Sequence, residues 1–240
     1  MKITSFLFLC FFLTYNTRAQ ELLLQQTDKF DSRKTVQLYA IVQPLSQQQT
    51  FLNEQLQNAQ LPATNPFNLG LGFGLEYSFQ TGTSLRLETV FNHYRKKQNE
   101  SLLSVQPVNY ELSIKQLFLS YSKLRPFVTA GFGGWEQTLQ ISRTVAQPGT
   151  IQDLLNTPNT VHFTSATDYF SAGIGINLLP FDNPTKRVTD FTELELGVRS
   201  GIGNGFLYNR QTELPPLVKD RFLQYYLSLK AGISYKRKKL

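Results

Sequence analysis

Nine charged side chains lie at alternate positions within apolar stretches of the sequence, a spacing that puts each on one side of an extended strand. They are Glu76, Arg86, Glu88, Glu111, Lys115, Glu193, Glu195, Arg199 and Lys230. Buried charges must be paired to be tolerated. A fold that encloses this side of the strands would therefore hold a lumen charge cluster of mutual ion pairs.

The two histidines, His93 and His162, are the other candidates for chemistry. Neither has a serine and an acid around it in a recognisable catalytic spacing. A position at a membrane interface is the favoured interpretation of His93, although a lipid-modifying enzyme would place a histidine there. The acids Glu54, Asp153 and Asp168 lack the dense oxygen spacing of a calcium loop. The sequence predicts no catalytic residue, no metal ligand and no cofactor site, and hence no enzyme.

The strands that carry the charges are predicted from an alternation of large apolar with small or polar residues. Over residues 67–80 every odd position is large and apolar, and the same pattern returns over residues 222–235. Each run can cross a membrane, since a tilted strand needs about 9 to 11 residues. Weaker copies bring the total to eight strands. Two of these break phase, near Leu117 and at Gly133 and Gly134, and are interpreted as β-bulges.

The predicted connections alternate between long and short. Long loops are expected at residues 46–65, 96–107, 143–167 and 204–220, and turns at residues 81–83, 123–126 and 180–190. Outer-membrane barrels have short periplasmic turns and longer extracellular loops. The predicted fold is therefore all-β, a closed eight-stranded antiparallel up-and-down transmembrane β-barrel.

Glycines separate this fold from its rival, a soluble lipocalin-like barrel whose apolar face points inward around a ligand. On a soluble exterior repeated glycines would weaken the strands. In a narrow lumen they leave room for long side chains of opposite strands. The glycines on the charged face are Gly70, Gly72, Gly74, Gly131, Gly133, Gly173, Gly175, Gly197 and Gly232. The charged face is therefore predicted to point inward.

Aromatic residues collect near the predicted strand ends, as in the girdles of membrane barrels. The turn-side girdle is predicted from Tyr77, Phe79, Tyr121, Phe127 and Tyr235, and the loop-side girdle from Phe67, Tyr110, Trp135 and Tyr225. Both girdles are expected to face lipid.

The N-terminal residues predict export. Lys2 precedes an apolar run at residues 3–13, and Thr17 and Ala19 are the small residues of a cleavage site. The run is too short to cross a bilayer as a helix. Cys10, the single cysteine, lies in this leader, so the mature chain is expected to have neither a disulfide nor a thiol nucleophile. The predicted division is a signal peptide at 1–19, a periplasmic segment at 20–34, the outer-membrane β-barrel at 35–235 and a basic tail at 236–240.

The charge balance excludes a nucleic-acid binder. The formal net charge of +7 falls to +5 when Lys2 and Arg18 leave with the leader. Four of the remaining bases are consecutive in the tail, at residues 236–239. The rest is close to balanced, without the basic face interleaved with aromatics that nucleic-acid binding requires.

Two segments resemble a known family. The segment Tyr110-Glu-Leu-Ser-Ile-Lys-Gln-Leu-Phe-Leu-Ser-Tyr121, followed by Arg125-Pro-Phe-Val-Thr-Ala-Gly131, is similar to the fourth strand, turn and fifth strand of porin-like outer membrane protein beta-barrel domains of the small OmpA/OmpX type. The segment Lys230-Ala-Gly-Ile-Ser-Tyr235 resembles the C-terminal signal read by the barrel assembly machinery. The resemblance implies a Gram-negative outer membrane, with its lipids and that machinery as partners, besides an unidentified extracellular partner.

Several functions remain open at this point. A structural or surface-interaction role with a side-chain-filled lumen is favoured, because wide water-filled channels belong to barrels of about 16 strands. The alternatives are a narrow channel or a transport or secretion accessory, an outer-leaflet lipid-modifying enzyme, and the lipocalin-like ligand-binding barrel.

We expect the folded protein to resist denaturation in cold detergent and to change its gel mobility only after boiling. A closed barrel offers no free edge from which to unzip. Electrophoresis of heated and unheated samples measures this, and solubility without detergent after removal of the leader would contradict the membrane assignment.

Overall fold

The computed structural model describes residues 35–47, 49–58, 60–79, 82–98, 101–118, 124–143, 160–178, 188–204, 206–208 and 221–236. The elements are β1 Thr35–Gln47, α1 Thr50–Asn58, β2 Phe67–Ser78, β3 Thr83–Phe91, β4 Tyr94–Gln98, β5 Ser101–Leu117, β6 Leu124–Arg143, β7 Thr160–Leu178, β8 Val188–Asn204, β9 Phe206–Tyr208 and β10 Arg221–Lys236. The predicted signal peptide and periplasmic segment lie outside these residues, as does most of the tail. No helix in the described ranges is long and apolar enough to cross a membrane.

The strands form one closed antiparallel barrel. Adjacent strands pair antiparallel in the order β3-β2-β1-β10-β8-β7-β6-β5, and the circuit is closed by pairing of β3 with β5. β3 and β4 both pair with β5, in one register, and β8 and β9 both pair with β7. Each of these two pairs of elements therefore occupies a single place in the circuit, which has eight strands. The prediction of a closed eight-stranded up-and-down barrel is confirmed. The C-terminal ends of β2, β5 and β7 lie at one end of the barrel, which we call the turn end, and the opposite end is the loop end.

Pro107 explains why β3 and β4 are separate elements. The Asn92 N–H donates to the Pro107 carbonyl at 2.9 Å. Proline has no N–H to return the second bond of the pair, so the ladder is interrupted for two residues. The register then resumes unchanged with Tyr94 opposite Val105.

The predicted loop at residues 96–107 is wrong, because β4 and β5 occupy this segment and Gln98 pairs with Ser101. These strands extend beyond the apolar part of the barrel. There β4 carries cations on both faces, so the period-two contrast is lost, and β5 has Leu103 and Val105 inside with Gln106 outside, so the contrast is reversed. The predicted long loops at 143–167 and 204–220 are likewise shortened by β7, which begins at Thr160, and by β9.

The predicted loop at residues 46–65 is also wrong in part, because it contains α1. Leu52 and Leu56, four residues apart, lie on one face of this helix and are buried. They are dispersed in a Gln-rich segment, so the sequence gives only a weak apolar pattern. The tertiary contacts of that face are what stabilise so short a helix.

Neither predicted β-bulge is present within the described parts of β5 and β6. β5 pairs with β6 in one register from Ser101–Arg143 to Leu117–Phe127, and β6 pairs with β7 without a slip. β5 ends at Leu117, and the next two predicted strand positions, Leu119 and Tyr121, lie outside the described residues. At Trp135 the strand keeps its phase, but its inward face changes from polar to apolar. A register shift does occur elsewhere, between Arg221 and Leu223 of β10.

The outward face of the barrel is an apolar belt. Its large side chains are exposed, as at Phe73 (61%), Ile174 (62%) and Leu196 (56%). Apolar residues thus lie outside and charged residues inside, the reverse of what the lipocalin-like alternative requires. Of the predicted girdle residues, Phe127 and Trp135 were assigned wrongly, because both point inward and are buried. Tyr121 lies outside the described residues.

Leu71→Arg and Leu227→Arg, both in the apolar belt, should each lower the free energy of unfolding in lipid vesicles by about 2–4 kcal/mol, because a charge at the bilayer midplane is poorly solvated. Gln106→Arg is the matched control, since Gln106 is exposed on the same outward face beyond the belt. Denaturant titration measures all three. Equal losses at the three positions would mean that the belt does not face lipid.

Candidate functional site: the closed lumen

All nine residues of the lumen charge cluster point into the barrel and are almost fully buried. Each lies in phase with buried neighbours two residues away, because successive strand side chains alternate between the two faces. β2 supplies Glu76, β3 supplies Arg86 and Glu88, β5 supplies Glu111 and Lys115, β8 supplies Glu193, Glu195 and Arg199, and β10 supplies Lys230. The structure thus brings together side chains that are up to 154 residues apart, from Glu76 to Lys230.

Arg86 is the hub of this cluster. Its Nε donates to Glu76 Oε2 at 2.6 Å, its Nη1 donates to Glu195 Oε2 at 3.0 Å, and its Nη2 donates to Glu193. Lys115 completes the group, with its Nζ 3.3 Å from Glu76 and in contact with Glu193. One guanidinium therefore joins β3 to β2 and, across the lumen, to β8. Charge-assisted bonds of this kind are about twice as strong as neutral ones.

Lys230 and Glu195 extend the cluster to β10. The Lys230 ammonium donates to Glu195 Oε2 at 2.7 Å and also to Glu88. The backbone of Lys230 pairs with Glu193, yet its side chain bonds diagonally to Glu195. The Thr129 hydroxyl, at 2.7 Å, donates to the other oxygen of Glu195, Oε1. Each lumen carboxylate thus has at least one cation and further donors.

A second group lies closer to the loop end around Arg199. Its Nε donates to Glu111 Oε2 at 2.9 Å, and its Nη1 donates to the amide oxygens of Gln43 at 3.0 Å and Gln224 at 2.8 Å. The Ser171 hydroxyl donates to Glu111 Oε1 at 2.7 Å. These bonds cross the lumen between β8, β5, β1 and β10, so they close the bore at a second level.

Inward aromatic rings are the functional residues that sequence reasoning missed. Tyr226 lies opposite Gly197 on the neighbouring strand, and a Cβ at Gly197 would come within 2.3 Å of the ring. Tyr39 lies over Gly74 in the same way, at 2.4 Å. The glycines were predicted to make room for opposite strands, but here they make room for rings of adjacent strands. The recurring pairing of an inward Gly with an inward aromatic would have been the signal.

These rings support the lumen cations. The Arg199 guanidinium carbon lies 4.3 Å from the centroid of the Tyr226 ring, and the Lys115 Nζ lies 4.7 Å from that of Phe127. Such cation–π contacts are attractive where water is excluded. The rings therefore fill the lumen volume and hold the cations at the height of the carboxylates.

An apolar cluster, which we call the apolar cap, packs against the inward face of β5 and β6 at the loop end. It consists of Leu52 and Leu56 of α1, Leu61, and the inward-facing Leu103, Val105 and Leu139. Polar contacts anchor the segment that carries α1: Gln49 Nε2 donates to Gln137 Oε1 at 2.6 Å, and the Thr64 N–H and hydroxyl both donate to Asn53 Oδ1 at 2.7 Å. The Asn65 N–H donates to the Tyr94 hydroxyl at 3.2 Å. The cap and the charge cluster thus lie at successive levels along the barrel.

The remaining candidate residues do not join this site. His93 is exposed between β3 and β4, and His162 is exposed on β7. Glu54 and Asp168 are exposed as well, while Asp153 lies outside the described residues. In the part of the chain that the structure describes, no group of three or more His, Cys, Asp or Glu side chains is arranged to hold a metal ion. The charged groups of the lumen are bonded to one another and shielded from solvent.

No protein-family model and no curated protein sequence matches the chain. Among solved structures, the chain is similar to the N-terminal β-barrel domain of Pseudomonas aeruginosa OprF (14% identity, 84% of this chain and 97% of that chain, TM-score 0.43). It is also similar to Neisserial surface protein A (11%, 85% and 97%, 0.43) and to Ail, the attachment invasion locus protein of Yersinia pestis (9%, 85% and 99%, 0.43). At these identities and TM-scores the likeness indicates no shared function.

Arg86→Met should lower the free energy of unfolding by about 3–5 kcal/mol, because it leaves buried carboxylates short of a cation. Adding Glu193→Gln should recover part of this loss, since one stranded charge is then removed. Lys96→Met, which also replaces a cation by Met but at an exposed position, should stay within about 0.5 kcal/mol. Denaturant titration in vesicles measures the series. A loss in Arg86→Met no larger than in Lys96→Met would show that the cluster does not stabilise the barrel.

Proposed function

We propose that this chain is an outer-membrane β-barrel with a closed lumen that has a structural or surface-interaction role and is not an enzyme. The observation that carries the proposal is the inverted polarity of the barrel, with an exposed apolar belt outside and a buried, mutually paired charge cluster inside. In water the belt would be costly to expose, since soluble monomers rarely present apolar patches beyond a few hundred Å². In a bilayer it is solvated by acyl chains.

Strand length supports the same orientation. β5 has 17 residues and β6 has 20, whereas about 9 to 11 residues cross a bilayer. Their excess length lies at the loop end, where β4, β5, β6 and β7 form a sheet that projects beyond the belt. The inward side of this projecting sheet is covered by α1. A rigid, hydrogen-bonded platform outside the membrane suits contact with a partner at the cell surface.

The charge cluster favours this role over a narrow channel. Two levels of ion pairs and the apolar cap occupy the lumen, and eight strands enclose barely enough space for side chains. Passage of a solute would require separation of several buried pairs at once. The exposed position of His93 on the outer wall, with no catalytic partner among the described residues, gives the lipid-modifying alternative no support beyond the residue itself.

Assembly is expected to end with β10. This strand pairs with β1 and closes the circuit, and it carries the Lys230 to Tyr235 segment that resembles the assembly signal. We propose that the barrel assembly machinery reads this segment and that outer-membrane lipids surround the finished barrel.

The purified protein in a planar bilayer should show no steady conductance. Leu52→Asp with Leu56→Asp should disrupt the apolar cap and still give none, because the charge cluster beneath it remains intact. Single-channel recording tests both forms. A large, stable conductance from the unmodified protein would favour the channel, and lipid hydrolysis that is abolished by His93→Ala would favour the enzyme.

A further inference from the structure

Among residues whose side chains the structure describes, the exposed basic residues are Arg95, Lys96 and Lys97, all on β4. Arg95 and Lys97 lie on the outward face, in line with Phe91 of the apolar belt, whereas Lys96 points inward and donates to the Ala63 carbonyl at 3.1 Å. Three consecutive cations are thus divided between two faces of one strand.

The outward pair begins where the apolar belt ends. Phe91 is 42% exposed on the belt, and its partner across the ladder, Val108, is followed on the same outward face by the polar Gln106. With a rise of about 3.3 Å per residue and a tilt of about 40°, Arg95 lies about 10 Å above Phe91 along the membrane normal, and Lys97 about 15 Å. The polar headgroup layer begins within this interval, and long basic side chains can bend toward it.

We propose that Arg95 and Lys97 bind the phosphate groups of outer-leaflet lipids that surround the barrel. Both side chains are exposed, and neither forms an ion pair with a carboxylate of the described residues. A guanidinium binds phosphate through two parallel hydrogen bonds, and an ammonium adds a compact positive charge about two residues along the same face. The inference rests on the proposed membrane insertion, and it specifies phosphate as the lipid group that this outward face binds.

Protection of an exposed strand edge is the alternative role for the cations on this strand. β4 pairs with β5 alone among the described strands, and lysine on such an edge strand blocks edge-to-edge pairing with another chain. That role does not depend on which face the side chain takes, so Lys96 would serve it as well as its neighbours. Lipid binding depends on the outward face. Lys96→Gln is therefore the matched control for Arg95→Gln with Lys97→Gln.

The test uses the full-length mature protein, folded in non-ionic detergent and titrated with the bisphosphorylated glycolipid lipid A. Retained lipid is counted by native mass spectrometry. We expect Arg95→Gln with Lys97→Gln to reduce lipid A affinity about 10- to 30-fold, and Lys96→Gln to leave it unchanged. The same glycolipid without its phosphates should bind all forms equally, and millimolar inorganic phosphate should not displace lipid A from the unmodified protein.

Equal affinity of the double variant and the unmodified protein overturns the proposal, and dimers of the double variant at unchanged affinity would assign the cations to edge protection. Displacement by inorganic phosphate would overturn it in favour of a site for the free ion. Failure of the membrane assignment is distinguishable, because the unmodified protein would then insert into no vesicle, whether of phosphatidylcholine alone or with lipid A.

Discussion

The pairing of Arg86 with three glutamates across the lumen is the interaction on which the rest of the structure depends. A charge taken out of water is tolerated only when its partners are held in place. Here the partners come from β2 and β8, which lie on different sides of the barrel. Only a closed sheet of this narrow diameter brings them within hydrogen-bond distance. Barrel closure and charge pairing therefore require each other, and together they leave no continuous bore.

The glycines and inward aromatics follow from the same constraint. A lumen that holds nine charged side chains has to position them without gaps, since voids forfeit packing energy. Tyr226 over Gly197 and Phe127 over Gly175 fill the wall between the ion pairs, and Arg199 and Lys115 rest on these rings. Outside the lumen no such demand exists, so the apolar belt consists mainly of aliphatic and aromatic residues.

The sequence was sufficient for the fold where the two faces differ in polarity. The alternation around Leu71 and Leu227 predicted the strands, and the position of Glu76 and Lys230 in that alternation predicted the charged face. Prediction was wrong beyond the belt, where β4 was taken as a loop and Trp135 as a bulge, because contrast between the faces disappears or reverses there. The partners of Arg86 depend on three-dimensional closure across the barrel, so the order of residues in the chain does not specify them.

The central claim is that the apolar belt faces lipid, and collision rates at spin labels test it most directly. Residues 35–236 contain no cysteine, so Leu112→Cys, Phe170→Cys, Leu227→Cys and Gln106→Cys give singly labelled proteins in a form that begins at Gln20, after the predicted leader with Cys10. In vesicles, the labels at 112, 170 and 227 should collide often with dissolved oxygen and rarely with a water-soluble nickel complex, whereas the label at 106 should meet the nickel complex readily. Nickel access at 112, 170 and 227 equal to that at 106 would contradict the account.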